Sequence, residues 1–259
     1  MDREKEILVS VVIPTYNRSK VLSRAIDSVI NQTFKDWELL IVDDRSIDHT
    51  CSLIDKYKHT DSKIKYLLNE YEQGPGGARN FGIDHASGQY IAFLDSDDLW
   101  YPNHLEDCLR ICQTDNIKIC CGLWYENRDG NTIESYPRER HLEVAISELS
   151  PIVKEDSFIF NRFFCEYVSI RGFYFLKTSF LMINRSILEV TGKFDPKLRT
   201  NQDVDFFFRI TLHYKVALIN KIHGVYFNGD DNLYFFKDSW KIFDKGIVSK
   251  LNFHRKYYL

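Results

Sequence analysis

The chain has 259 residues, 44% hydrophobic and 27% charged, with a formal net charge of -3. That length buries a sizeable core in one large domain or two small ones. So balanced a charge lacks the basic excess of a nucleic-acid binder, and no apolar stretch approaches the ~18 residues of a membrane span. The apolar run from Ile7 to Ile13 is too short for a secretion signal. The expectation is therefore a cytoplasmic protein, with peripheral contact at the inner face of the membrane left open. Six cysteines, Cys51, Cys108, Cys112, Cys120, Cys121 and Cys165, sit inside apolar patterns without a CxxC pair. They read as buried free thiols rather than disulfides or a zinc site.

In chain order, Leu8 to Ile13 is a near-continuous apolar run, as expected of a strand buried on both faces. Ser19 then reads as the N-cap of a helix carrying Val21, Leu22, Ala25, Ile26, Val29 and Ile30 at helical spacing. Trp37 to Val42 reads as a second buried strand, Asp48 to Lys58 as a helix and Ile64 to Leu68 as a short strand. Gly76 to Ala86 reads as a helix closed by Gly88, Tyr90 to Leu94 as a fourth strand, and Pro102 to Gln113 as a helix. Beyond residue 115, strands are expected at Ile117 to Trp124 and Thr132 to Tyr136, around a turn at Asp129-Gly130-Asn131. Residues 138 to 170 read as loops with a partial helix. Tyr174 to Ile183 reads as a strand, Ser186 to Thr191 as a short helix, Asp203 to Tyr214 as a longer one, and Val216 to Ile219 as a strand. Such alternation predicts an α/β fold, a mostly parallel sheet with helices on both faces. Ligands of such sheets sit at the carboxyl ends of the strands, near the reversal of strand order. Thr15-Tyr16-Asn17, Asp43-Asp44 and Asp95-Ser96-Asp97-Asp98 all fall at strand ends.

The acidic run carries the strongest chemical message. Adjacent carboxylates repel each other, and a hard divalent cation removes the repulsion because it favours carboxylate oxygens. The plainer reading is that Asp97 or Asp98 only caps the next turn.

Ser10-Val11-Val12-Ile13-Pro14-Thr15-Tyr16-Asn17-Arg18 resembles the opening of the family 2 inverting glycosyltransferases, which have the GT-A fold. The likeness continues through Leu40 to Ser46, Gly76-Gly77-Ala78-Arg79-Asn80 and Gly88 to Asp98. It resumes at Gly192-Lys193-Phe194-Asp195 and at Gln202 to Arg209. The resemblance implies a DXD motif at Asp95-Ser96-Asp97. Asp97 would hold Mn²⁺ or Mg²⁺, with Asp95 contacting the ribose or supporting the metal. It also implies a nucleotide cradle of Pro14, Thr15, Tyr16, Asp43, Arg79, Asp95 and Ser96. In it Tyr16 stacks on a base, Asp43 accepts the uracil imide N–H, and Arg79 reaches the base or the diphosphate. That pairing favours a UDP-sugar donor. The plainer readings are a solvated turn for Asp43-Asp44 and a surface arginine for Arg79.

Asp203 matches the family's general base, and Asp205 is its competitor. Family members usually carry Glu-Asp where this chain has Gln202-Asp203. That departure puts an acceptor contact or a pKa-tuning neighbour in doubt. Relatives place a late histidine on the metal or the phosphate. Here Asn228 falls near that position, and His223 is not assigned to it. The implied function is transfer of a sugar to a hydroxyl of a glycan or lipid-linked glycan. A sugar-phosphate nucleotidylyltransferase would need a glycine-rich loop that Pro14-Thr15-Tyr16-Asn17 lacks, and a silent nucleotide-sugar-binding module is the third reading. The expected organisation is a nucleotide-sugar half at 1–115, an acceptor half at 116–240 and a helical tail at 241–259. The tail mixes Lys245, Lys250, Arg255 and Lys256 with apolar residues. It suits packing on the domain or lying on anionic lipid.

Overall fold

The computed structural model describes residues 8–128, 131–171, 175–198 and 200–228. Four apolar runs form the strands β1 (Val9–Thr15), β2 (Trp37–Asp43), β3 (Ile64–Leu68) and β4 (Tyr90–Phe93). They pair in parallel in the order β3-β2-β1-β4. β1 and β2 are buried along their whole length, so both their faces need apolar side chains. The parallel strands are linked by α1 (Leu22–Ile30), α2 (Thr50–Thr60) and α3 (Pro75–His85). Leu22, Ala25, Ile26 and Val29 of α1 recur at helical spacing and are fully buried. The chain runs outward from β1 to β2 and β3, then returns to β4 on the other side of β1. That reversal opens a crevice at the carboxyl ends of β1 and β4.

Beyond β4 the sheet continues with antiparallel strands. β10 (Leu181–Asn184) lies antiparallel to both β4 and β6 (Ile119–Arg128). Next come β11 (Val216–Asn228), β9 (Ser157–Phe160) and β8 (Ile152–Val153), while β5 (Leu99–Trp100) pairs with β11 and β7 (Asn131–Tyr136) with β6. Four further helices, α4 (His104–Thr114), α5 (Glu139–Leu149), α6 (Phe164–Ile170) and α7 (Leu188–Thr191), precede α8 (Gln202–His213). Residues up to Phe227 cluster as one compact unit. The tail at 241–259 lies outside the described residues.

Several expectations change. Ser19 does not cap α1: the helix starts at Leu22 after an uncapped Val21, and the Ser19 N–H goes to Asp48 Oδ2 at 3.1 Å. Gly88 does not close α3, whose C-cap is Ala86. A Cβ on Gly88 would meet Ser10 N at 2.6 Å, so the glycine answers to close packing on β1. Ser10 Oγ takes the Gly88 N–H at 2.8 Å and donates to the buried Glu38 at 2.6 Å, which explains a polar residue inside β1. Residues 138–170 are not mainly loop; they hold α5, β8, β9 and α6. Tyr174 lies outside the described residues, and Thr178–Phe180 form a 3₁₀ turn, so the strand begins at Leu181. The last strand runs past Ile219 to Asn228. All six cysteines are free, but Cys51 is exposed. Asp129 and Gly130 of the expected turn lie outside the described residues, although β6 and β7 do pair as a hairpin.

Candidate active site

The parallel register sets Thr15 beside Asp43, and β4 places Asp95 just beyond its end on the other side of β1. The three polar clusters therefore gather along one edge of the sheet. Thr15 is buried, and its Oγ1 makes no hydrogen bond among the described residues. A buried hydroxyl without a partner costs about 1–3 kcal/mol, so a ligand that supplies one is favoured. Pro14 precedes it inside β1, opposite Val42. Tyr16 is 47% exposed at the rim, open for stacking. Asp43 is not a solvated turn residue. Its buried carboxylate accepts the Ser46 N–H at 2.9 Å and the Tyr66 hydroxyl at 3.0 Å. Asp44 is buried too, and it accepts from Asn69 Nδ2 at 2.6 Å and the Gly74 N–H at 2.7 Å, fixing the loop that leads into α3.

Arg79 is no surface arginine. It is buried on α3 and pairs with Asp95 Oδ1 at 2.5 Å, its guanidinium 5.3 Å from the Phe194 ring centroid. The glycines before it also serve packing. A Cβ on Gly76 would lie 2.2 Å from Gln202 Oε1, and one on Gly77 only 1.8 Å from the Glu72 carbonyl. They let the start of α8 and the 72–74 loop close on α3. The close approach these glycines permit is to the protein itself.

The acidic run is treated unequally. Burial pushes the Asp95 carboxyl up, but Arg79, Lys177 and Ser179 more than offset it and hold Asp95 below the ordinary carboxylate range. Asp97 moves the other way: burial and the nearby Asp95 raise it, against Arg18 and Lys177. Its carboxylate stands 3.8 Å from Arg18, and its backbone carbonyl accepts from Arg24. Ser96, between them, is buried. Asp98 is fully buried, and burial with the charges of Asp97 and Asp95 raises it well above the usual value. It accepts the Phe227 N–H at 2.9 Å and the Ser179 hydroxyl, so it ties the acidic loop to β11 and to the turn before β10.

Asp203 and Asp205 both fall in the first turn of α8 and point differently. Asp205 is held by Arg209 at 2.8 Å. Asp203 lies near Lys177, and it is the one of the two that joins the acidic cluster. Gln202 is buried, and its Oε1, turned toward Gly76, has no hydrogen-bond partner among the described residues. His223 meets His104 in the core, 2.9 Å between Nδ1 atoms, and its other ring nitrogen faces Asp107 rather than the acidic run. Asn228 ends β11.

Lys177 did not emerge from the sequence. Burial lowers its ammonium's proton affinity, but Tyr226, Asp98, Asp95 and Asp203 raise it further, so it stays charged. Its Nζ lies 3.4 Å from the Tyr226 ring centroid. Arg18, Arg24 and Ser179 complete this shell, and none had been expected. The arrangement can hold a group that carries negative charge and needs a cation beside it.

Residues 10–191 match the family model described as glycosyl transferase family 2. The chain belongs to glycosyl transferase family 2. A glucosyltransferase of Escherichia coli, UDP-Glc:alpha-D-GlcNAc-diphosphoundecaprenol beta-1,3-glucosyltransferase WfgD, is 44% identical over 128 residues, 49% of this chain and 49% of that protein. The alignment thus spans about half the length of that relative. Staphylococcus aureus TarS, crystallised with UDP-GlcNAc, superposes with a TM-score of 0.67 at 20% identity, covering 85% of this chain and 58% of that one. The mannosyltransferase PcManGT of Pyrobaculum calidifontis, solved with GDP-Man and Mn²⁺, gives 0.64 at 17% identity over 93% of this chain and 61% of its own. At such identities the structures establish the fold of this family 2 chain, GT-A, and the expectation drawn from the resemblance holds. No helix among the described residues is long and apolar enough to cross a membrane.

Proposed function

We propose that this family 2 chain is a metal-dependent inverting hexosyltransferase. It would move a sugar from a UDP-sugar to a hydroxyl of a saccharide carried on a polyprenyl diphosphate. The observation that carries the reading is the gathering of Asp95, Asp97, Asp98 and Asp203 around Lys177, at the switch point beside the unpartnered Thr15 hydroxyl. The relative named for UDP-Glc and a diphosphoundecaprenol acceptor supports the donor and acceptor classes.

The donor set suits Mn²⁺ or Mg²⁺. Asp97 is partly exposed, and its recorded cation stands off at 3.8 Å, so its oxygens remain available to a hard ion. Asp95, kept ionised by Arg79, stands beside it. A bound ion would offset the charge of the departing nucleoside diphosphate. Lys177 adds a fixed positive charge inside the same cluster. Thr15, Tyr16, Asp43 and Ser96 form the nucleotide side, with Tyr16 under the base. Asp203 takes the proton from the acceptor hydroxyl as that oxygen attacks the anomeric carbon. Attack opposite the leaving diphosphate is a single displacement, and it inverts the anomeric centre. The proposed division is a nucleotide-sugar half at 1–115 and an acceptor half beyond it, whose lipid-linked substrate would bring the chain to the membrane surface.

The test is a panel of UDP-glucose, UDP-galactose, UDP-GlcNAc, UDP-GalNAc and GDP-mannose with Mn²⁺ and a GlcNAc-diphosphate-polyprenol acceptor. UDP release that depends on both acceptor and metal is expected. Pyrophosphate formation, or nucleotide binding with no turnover on any donor, would overturn the reading.

A further inference from the structure

α4 carries His104 and Cys108 one turn apart, so both point from one face of the helix into the core. β11 brings His223 to the same place from across the sheet. The two imidazoles turn Nδ1 toward each other at 2.9 Å, and Cys108 Sγ lies 3.8 Å from His104 Nδ1. The ligand atoms of all three residues fall within 4.8 Å of one another, and all three residues are buried. Two nitrogens on one tetrahedral zinc lie about 3.3 Å apart, and a nitrogen and a sulfur about 3.5 Å. The His104–His223 and His104–Cys108 pairs are within about 0.4 Å of that spacing, and an ion would draw Cys108 and His223 together from no more than 4.8 Å.

Three surroundings fit a ligand role. First, His223 Nε2 faces Asp107 Oδ2 at 3.4 Å. A carboxylate behind the outer ring nitrogen orients a metal-binding histidine with its other nitrogen inward. Second, a Cβ on Gly122 would lie 2.3 Å from His223 Nδ1, so the neighbouring strand is cut back where the imidazole stands. Third, Cys120 of β6 is a second buried thiol near Cys108. The absence of a CxxC pair in the sequence is therefore made good by residues from one helix and two strands.

We infer that His104, Cys108 and His223, with Cys120 as the fourth donor, form a structural site for a thiophilic divalent cation such as Zn²⁺. It is separate from the carboxylate site for Mn²⁺. Its place gives it a task. The His223 carbonyl accepts the Tyr101 N–H at 2.7 Å, and β5 pairs with β11 immediately after the acidic run. An ion there would staple α4 to β11 behind the loop that carries Asp97 and Asp98.

The experiment loads chelator-stripped full-length protein with Zn²⁺ or Co²⁺, dialyses it and measures bound metal and the cobalt–thiolate charge-transfer band. One tightly held ion with that band is expected in the wild type and in Asp97→Ala, which lacks the hard-ion ligand. Cys108→Ser should diminish the band, leaving at most the Cys120 contribution, and weaken zinc at least tenfold, while UDP binding reports that it has folded. Should that variant fail to fold, zinc X-ray absorption on the wild-type chain reads the shell directly, and two nitrogens with one or two sulfurs are expected. No retained zinc in folded wild type, a shell of oxygen alone, or a band undiminished in folded Cys108→Ser would each overturn the site.

Discussion

Lys177→Met keeps most of the aliphatic stem and removes the ammonium, its charge together with its N–H donors. Among the influences that favour an ionised Asp98, the charge of Lys177 leads, and Asp95 and Asp97 lean on it as well. Leaving buried carboxylates without their cation costs about 3–5 kcal/mol when they stay charged. They need not stay charged. Burial already pulls Asp98 toward protonation, and each pKa unit corresponds to about 1.4 kcal/mol. The loss should therefore be about 3 kcal/mol at pH 8 and shrink toward about 1 kcal/mol near pH 5, where the acids take up protons. The sign follows from the direction of the shift. A carboxyl raised in the folded state binds more protons there than when unfolded, so stability falls as pH rises, and more steeply in the variant. Urea denaturation in EDTA at both pH values measures this, with Lys56→Met on the exposed face of α2 as the control. Wild-type and Lys177→Met stabilities that run parallel from pH 5 to pH 8 would refute the reasoning, because the ammonium would then not be neutralising the acids.

Asp98→Asn tests the same field from the other side. It keeps an oxygen for the Phe227 N–H and removes the burdened charge. Metal-free stability should rise by about 1 kcal/mol at pH 8 and its pH dependence should flatten; an equal loss at pH 5 and pH 8 would contradict this. Asp203→Asn should retain UDP binding by calorimetry and lose at least about 100-fold in transfer, as expected of a lost general base. Asp205→Asn should transfer within about threefold of wild type and cost about 0.5 kcal/mol, because its partner Arg209 is a half-exposed helical neighbour. Gly82→Ala should cost about 1–3 kcal/mol in urea melts, since the new Cβ meets Val12 Cγ1 at 2.5 Å and Val42 Cγ2 at 3.1 Å.

The parallel half of the fold was legible because its strands are buried on both faces and its helices are amphipathic. Period and burial there say the same thing. The strand and helix at Trp37–Asp43 and Pro75–His85 fall within a residue or two of their expected bounds. The stretch 138–170 was not legible. β8 is two residues long with both exposed, and it leaves no alternation to read. Single residues misled where packing, not local conformation, set the choice. Gly88 follows a helix at the distance of a C-terminal glycine, yet it answers to Ser10 on another element. Gly76 and Gly77 sit where a phosphate loop would use them, yet they make room for Gln202 and Glu72.

The candidate site shows the same division between local and distant information. Its acids announced themselves, because a run of carboxylates ending an apolar strand has few structural uses. Its cations did not. Asp95 and Ser179 are 84 residues apart, and nothing near Lys177 marks it as special. The missing step was strand direction. β10 runs antiparallel to β4, so the residues entering β10 must lie beside the residues leaving β4. Lys177, Thr178 and Ser179 enter β10, and Asp95 to Asp98 leave β4. Had Leu181–Asn184 been taken as antiparallel to Tyr90–Phe93, a lysine and a hydroxyl would have been placed against the acidic run from the sequence alone. The same step explains why the acids tolerate one another: the strand that brings their counter-charge is the one at which the sheet changes from parallel to antiparallel. Reversing that strand's direction would leave Asp98 buried with neither Ser179 nor Lys177, a state that its own burial penalty forbids.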